Sequence, residues 1–215
     1  MDKMLIESFR RVATASVADA VEKVCGARGY LGNGIAPHTS QRKIAGPAVT
    51  VLEEPTDGAG PPTHALELID AADPGSVMVI ATGGNADVAV WGGLMTAGAV
   101  ANRLEAAVLD ASLRDVTEIK RDFGFSVFAR GTCAGTTLGR VRTVASQIPV
   151  TLDGVTIHPG DIVVGDPDGV VIVPQSKAAE VLAMAQDIDA RELEQAKLII
   201  ETGSLIQGIA KYGRI

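Results

Sequence analysis

The chain has 215 residues, enough for one domain with a sizeable core, and 47% of them are apolar, 21% charged and 3% aromatic. With 19 basic against 26 acidic residues the formal charge is −7, which argues against a nucleic-acid binder, and so few aromatics leave no platform for stacking bases. No run of about 18 uncharged apolar residues occurs, so no membrane span is expected.

The N-terminal MDKMLIESFRR mixes charges into its apolar residues and does not fit a signal peptide. A soluble cytoplasmic protein is the expectation. Its core must be built from Val, Ala, Ile and Leu, which suits buried parallel strands under closely packed helices. Cys25 and Cys133 lie far apart without metal-ligand spacing. A disulfide between them stays open, but two cysteines do not make a secreted framework.

Met4, Leu5, Phe9, Val12, Val17, Ala20, Val21 and Val24 form an apolar stripe at helical spacing over residues 3–24. Ser16 and Asp19 fit a capping box, so two helices with a break near Thr14 are expected. Residues 26–34 are loop by their glycines. Residues 43–52 read as a strand, with Pro47 arguing for an edge or a bulge. Residues 53–62 form a polar Gly/Pro loop, either surface or lid. A short helix over 64–72 leads to SVMVIA at 76–81, a continuous apolar run and so a buried strand.

A helix over 94–103, a strand over 106–110, a helix over 115–122 and a strand over 125–129 follow. Alternation from 76 to 129 predicts parallel βαβ units. Residues 131–139 form a second glycine loop. From 149 to 174, short alternating strands are divided by Asp153-Gly154, Pro159-Gly160-Asp161 and the turn 166–169. These turn signals predict an antiparallel hairpin unit. Ser176 is read as the cap of a final helix over 177–201, closed by Gly203. The tail SLIQGIAKYGRI is apolar enough to pack on something. The chain is thus read as a single domain over 1–215. An N-terminal helical segment (1–35) precedes an α/β core (43–174), and a C-terminal helix and tail (176–215) follow.

Ligands of open α/β sheets bind beyond the carboxyl ends of strands. Gly83-Gly84, Arg114-Asp115 and Arg130-Gly131 all follow strand ends. Gly92-Gly93 precedes a helical run, where bare backbone admits close approach and first-turn amides at a positive dipole end favour an anion. Arg114 offers a fork of donors for a carboxylate or a developing enolate oxygen, and Asp115 offers hard oxygen to Mg²⁺ or Mn²⁺. An ordinary crossover with a surface Arg and a helix-start Asp would read the same way. Asp110 fits a strand-end cap or a supporting acid, and Asp87 lies near the same strand ends. Asp166 and Asp168 are explained by turn chemistry. His38, His64 and His158 show no metal-binding pairing. Cys133 and Ser112 have no base or nucleophile elbow beside them.

Several segments together carry a resemblance: AGPAVTV (45–51), DPGSVMVI (73–80), WGGLMTAGA (91–99), VLDASLRD (108–115), VFARG (127–131) and PGDIVVGDPDGVVIVP (159–174). They are similar to the family of regulator of ribonuclease activity A. That family includes class II pyruvate aldolases acting on 4-hydroxy-4-methyl-2-oxoglutarate and 4-carboxy-4-hydroxy-2-oxoadipate. The likeness covers roughly residues 15–175. It implies an α/β/β sandwich with a swivelling-domain-like core, assembled as homotrimers or homohexamers with sites at subunit interfaces.

For function, the resemblance implies a metal-dependent lyase that forms pyruvate from a small 2-oxo acid, as aldolase and oxaloacetate decarboxylase. Arg114 would contact the pyruvyl part and Asp115 would ligate Mg²⁺ or Mn²⁺. The backbone of Gly92, Gly93, Leu94 and Met95 would hold the substrate carboxylate. Ribonuclease-inhibiting members lack the Asp, so Asp115 favours an enzyme over the alternative, a non-catalytic protein-binding regulator. Two positions depart from the aldolase pattern. Gly93 stands where an acid is common, leaving the general acid/base unassigned, and Ala111 replaces a glycine. A further acid comes, in the aldolases, from the C-terminal region of a neighbouring subunit.

Overall fold

The computed structural model describes residues 2–212; Met1 and the last three residues of the predicted tail lie outside the described residues. The N-terminal stripe folds as α1 (Lys3–Arg10) and α2 (Thr14–Cys25), broken near Thr14 as the pattern suggests. The break is not a Ser16 capping box. Ala13 is the N-cap, which puts Ser16 inside the first turn, buried with its hydroxyl unbonded.

In chain order follow β1 (Ala36–Pro37), β2 (Ile44–Pro55), α3 (Thr63–Ala71), β3 (Val77–Ala81), β4 (Ala89–Trp91) and α4 (Gly93–Ala101). Then come β5 (Ala106–Leu109), β6 (Ser112–Leu113) and α5 (Val116–Glu118), which widens into a π-turn over Ile119–Phe123 before β7 (Ser126–Ala129) and β8 (Gly131–Thr132). The remainder is β9 (Val141–Ser146), β10 (Val150–Leu152), β11 (Val155–Ile157), β12 (Ile162–Asp166), β13 (Gly169–Val173), α6 (Ala178–Thr202) and α7 (Leu205–Tyr212).

The main sheet runs β1-β7-β5-β3-β2-β12-β13, with β9 pairing the far end of β2. Strands β2, β3, β5 and β7 are parallel, and β12 and β13 are antiparallel, as alternation and turn signals predict. The sheet nearly closes. Leu31 N–H donates to Val170 O and Ile172 N–H to Gly29 O, both at 2.8 Å, so the segment that becomes β1 first lies along β13.

Burial explains the patterning. In β3, Met78 and Ile80 face α3 and α4, while Val77 and Val79 face the antiparallel unit around Leu152, Ile157 and Val163. A strand buried on both faces reads as one apolar run, not an alternation. Helices α1, α2 and α6 cover the outer face of β12 and β13 through Phe9, Val17, Val21, Val181 and Ala185. The architecture is the α/β/β sandwich that the resemblance implies.

Four expectations need correction. Strand β2 is central, not an edge, and its register shift falls at Leu52/Glu53, not at Pro47. Ala48 turns both its amide groups toward residues 160–161 beside β12, so the missing donor of Pro47 falls on the opposite side, before β3 begins pairing at Ala48. Strand β2 also runs to Pro55, three residues past the predicted end, because β9 pairs with 51–55. Ser176 does not cap the last helix. It lies within a 3₁₀ turn, Gln175–Lys177, and Lys177 is the N-cap. The predicted helix over 115–122 starts at Val116, with Asp115 in the left-handed region (φ 59°).

Gly203 does close α6, in the left-handed conformation with its N–H on Ile199 O. Cys25 and Cys133 are free thiols. No described helix is long and apolar enough to cross a membrane.

Candidate active site

A second, small parallel sheet, β4-β6-β8, builds the site at the carboxyl ends of the main strands. Trp91 pairs with Leu113 and Leu113 with Thr132. The backbone leaves this sheet with Arg114 N–H on Trp91 O at 2.9 Å, which sets Arg114 and Asp115 beside the start of α4.

Trp91 fixes that start. It is fully buried, lies parallel to Phe125 with ring centroids 6.0 Å apart, and donates from Nε1 to Thr96 Oγ1 at 2.8 Å. Thr96 Oγ1 in turn donates to Gly92 O at 3.0 Å. Such a closed indole–hydroxyl–carbonyl chain satisfies each buried polar group and holds the first turn in one geometry.

Gly92 is the N-cap of α4 in extended backbone (φ −158°). A Cβ there would stand 2.8 Å from Asp115 Oδ2 and 3.3 Å from Arg114 Nε, so only glycine fits without moving the pair. At Gly93 the nearest Asp115 atom would lie at 3.5 Å, an ordinary contact, so that position has room for a side chain.

Asp115 Oδ2 accepts from Gly93 N–H at 2.9 Å. The carboxylate therefore caps α4, not its own short helix, which has no side-chain cap. It also neutralises part of the positive dipole end that the sequence reserves for a ligand anion. Of the predicted backbone donors, Gly93 is thus engaged by Asp115, while Leu94 and Met95 carry first-turn amides that a helix leaves without intrahelical acceptors. Arg114 Nε lies 3.7 Å from Asp115 Oδ2, and both side chains are close to half exposed. Asp115 reaches this position only through left-handed backbone, which costs a non-glycine residue on the order of 1 kcal/mol.

Two open clefts meet at this pair. One, of about 210 Å³, lies against the start of α4 and has Pro62, Leu66, Val90 and Leu94 on its walls. The other, of about 350 Å³, has Val116, Thr132 and Cys133. Gly92, Gly93, Leu94, Met95, Arg114 and Asp115 all line the first, so the predicted residues converge on one place. Among the described residues, no three His, Cys, Asp or Glu side chains stand together as a metal cluster.

Arg130 and Asp110 belong to a different constellation. Arg130 donates from Nε to Asp110 Oδ1 (2.6 Å) and from Nη2 to Asp153 Oδ1 (2.5 Å). Asp110 also accepts from Gly84 N–H, and Asp153 from Gly32 N–H. Burial alone would lower the Arg130 pKa. The bonds to Asp153 and Asp110 outweigh it, so the guanidinium stays firmly charged. The triad clamps the ends of β5 and β7 to the β10–β11 turn. Asp110 is the buried strand-end cap the sequence allows, and Gly83-Gly84 is the left-handed turn it holds. Asp87 is exposed, and its carbonyl accepts from the Cys133 thiol. His64 Nδ1 meets Thr143 Oγ1, and His38 Nε2 meets Ala129 O, so each histidine is used in packing.

Sequence reasoning missed Glu53. It is 2% exposed, and neither carboxylate oxygen has a hydrogen-bond partner among the described residues. Alternation along β2 sets it on the face of Val49 and Val51, under α3, opposite Thr143. Burial raises its pKa from the ordinary 4.5 to about 7. An acid closing the alternation AVTVLE was the available signal, masked by the Gly/Pro loop that follows.

The family described as "RraA-like: Aldolase/RraA" matches residues 14–172. Protein DlpA of Legionella pneumophila is 34% identical over 204 residues, 94% of this chain, and the match spans only 32% of that protein's length. A Halalkalibacterium halodurans protein named "Putative 4-hydroxy-4-methyl-2-oxoglutarate aldolase" is 30% identical over 87% of this chain and 86% of its own. Among solved structures, a protein of Pseudomonas syringae pv. tomato superposes with a TM-score of 0.90 at 32% identity, covering 99% of this chain and 95% of that one. Streptomyces coelicolor RraAS2, described as an unusual member of the RNase ES inhibitor RraA family, gives 0.81 at 28% identity over 91% and 97%. By family match, identity and superposition alike, the chain belongs to the Aldolase/RraA family.

Proposed function

We propose that the protein is a divalent-metal-dependent lyase that cleaves a carbon–carbon bond of a 2-oxo acid to give pyruvate. The observation that carries this is the Arg114–Asp115 pair set against the first turn of α4, in a cleft built by backbone glycine. The aldolase name of the Halalkalibacterium halodurans relative supports it.

The donor set suits a hard cation. Asp115 Oδ2 takes the Gly93 amide, while Oδ1 has no partner among the described residues and remains for Mg²⁺ or Mn²⁺. Mg²⁺ commonly takes one or two carboxylates and keeps several waters, so one Asp is a sufficient protein anchor. Bound there, the cation would supply Lewis-acid stabilisation of the negative charge that develops on the 2-oxo oxygen. The Arg114 fork pairs with the substrate carboxylate or the enolate oxygen, where preorganised charge stabilises the developing anion. The Leu94 and Met95 amides orient the carboxylate. Retro-aldol cleavage and oxaloacetate decarboxylation both pass through the pyruvate enolate, so one site serves both.

Enolate stabilisation is testable without knowing the physiological substrate. In D₂O the methyl protons of pyruvate should exchange faster with protein plus Mg²⁺ or Mn²⁺ than with metal alone, and chelator should abolish the difference. Exchange no faster than with free metal would reject the lyase reading.

A homo-oligomer, trimer or hexamer, is part of the same proposal. Leu193, Ile200, Leu205 and Ile206 on α6 and α7 are more than half exposed, apolar surface that a second copy would cover. Light scattering that gives a monomer would contradict it.

A second reading, a protein-binding regulator, is favoured by one observation, the absence of an acid at Gly93. Capture of a ribonuclease by a protein that neither binds Mn²⁺ nor exchanges pyruvate protons would establish it instead.

A further inference from the structure

Resting on the reading that Asp115 holds the divalent cation, we infer that Thr96 is its positioning residue. The Thr96 hydroxyl aims the Asp115 carboxylate through the Gly92–Gly93 peptide. Trp91 Nε1 donates to Thr96 Oγ1 at 2.8 Å, and Thr96 Oγ1 donates to Gly92 O at 3.0 Å. Gly93 N–H, on the other side of that same peptide unit, donates to Asp115 Oδ2 at 2.9 Å. One chain of bonds thus runs from the core to the carboxylate. Chemistry fixes its direction. An indole N–H can only donate, so Thr96 Oγ1 accepts there and its own hydrogen is left for Gly92 O. A threonine hydroxyl often bonds the carbonyl four residues back in a helix. Here the buried indole leaves it no other direction.

Gly92 O accepts twice, from the Thr96 hydroxyl and from Thr96 N–H, each at 3.0 Å. Hydrogen bonds in series polarise one another, so both bonds make Gly93 N–H a stronger donor. Asp115 has little else to orient it. Its side chain is 41% exposed and stands on left-handed backbone, and among the described residues Gly93 N–H is its one hydrogen-bond donor. The two glycines carry no side chains that could steady the peptide, and α4 has no side-chain cap. Thr96 and Trp91 are buried, so the orientation is imposed from the core outward.

The probe is Mn²⁺ alone, titrated into the full chain with the free ion counted by electron paramagnetic resonance. Subtracting Asp115→Ala isolates the site from other acids on the surface. Thr96→Val keeps the shape and removes the hydroxyl. It should weaken Mn²⁺ binding about 10–100-fold, the usual effect of losing a group that orients a metal-holding side chain. Thr96→Ser should restore the wild-type affinity, and Thr96→Cys, with a weaker donor, should fall between. Val79→Ala, in the core on the other face of the sheet, lowers stability without touching the chain of bonds and should leave Mn²⁺ affinity unchanged. Wild-type affinity in Thr96→Val overturns the inference, as does equal weakening by Val79→Ala. Should Thr96→Val fail to fold, Thr96→Cys decides: affinity equal to that of Thr96→Ser overturns it. Failure of the metal reading looks different. Wild type and Asp115→Ala that bind Mn²⁺ alike, or not at all, reject Asp115 as the ligand and the inference with it. A Thr96 series that stays flat while Asp115→Ala abolishes binding rejects the inference alone.

Discussion

Arg114→Ala should lower kcat/KM for pyruvate-forming cleavage by about 10²–10³, the usual result of removing one preorganised donor from a developing oxyanion. The side chain is well placed for this. It is 44% exposed, lines both clefts, and its one ion pair among the described residues is the 3.7 Å contact with Asp115. Arg114→Lys should recover a minor part, since an ammonium gives charge without the planar fork. Stability should hardly change, because a half-exposed ion pair is worth about 0–1 kcal/mol. Steady-state kinetics beside a thermal melt separate the two effects. An Arg114→Ala protein that folds normally and cleaves at the wild-type rate would remove Arg114 from the mechanism.

The second large effect concerns Glu53 and pH. Its folded pKa, about 7, lies above the ordinary 4.5, because burial without a partner disfavours the anion. Between those values the folded state holds a proton that the unfolded state has released. The unfolded state binds fewer protons there, so stability falls as pH rises from about 4.5 to 7 and levels off above. The difference corresponds to roughly 3 kcal/mol at most.

Glu53→Gln keeps the shape and removes the titration. Relative to the wild type, the variant should gain stability with rising pH, reaching roughly 6–10 °C in Tm between pH 5 and pH 8. Thermal melts of both proteins across that range are the measurement. A gap between the two melting temperatures that stays constant with pH would mean that Glu53 does not titrate in the fold. Glu53 stands opposite Thr143 of β9, whose hydroxyl meets His64 on α3, the helix that also carries Leu66 of the cleft.

The parallel core was legible because β3 and β5 are long enough to read as apolar runs and α3 and α4 lie between turn signals. The hairpins announced themselves through Asp153-Gly154 and the turn 166–169. The small sheet did not: β4, β6 and β8 have three, two and two residues, too short for any period to register. Yet it is this sheet that aims Arg114 and Asp115. Those two residues and the glycines before α4 could be named from chemistry. What could not be read was that Asp115 would adopt left-handed backbone and turn its carboxylate onto Gly93 N–H. Nor could Arg130 be separated from the site, since its partners Asp110 and Asp153 are 20 and 23 residues away along the chain. Strand β9 was hidden for a similar reason. Its pattern VRTVAS is only partly buried, and its partner is the extension of β2 that runs into the Gly/Pro loop.

The central claim is that Asp115 holds a divalent cation at which a 2-oxo acid yields pyruvate. Its most direct test is pyruvate release from oxaloacetate and from 4-hydroxy-4-methyl-2-oxoglutarate. Wild type and Asp115→Ala are compared with Mg²⁺ or Mn²⁺ and with chelator, after subtracting spontaneous metal-catalysed decay of oxaloacetate. Turnover that requires metal in the wild type and is lost in Asp115→Ala, with the variant still folded, is the expected result. Turnover that persists in Asp115→Ala, or that ignores chelator, would contradict the account.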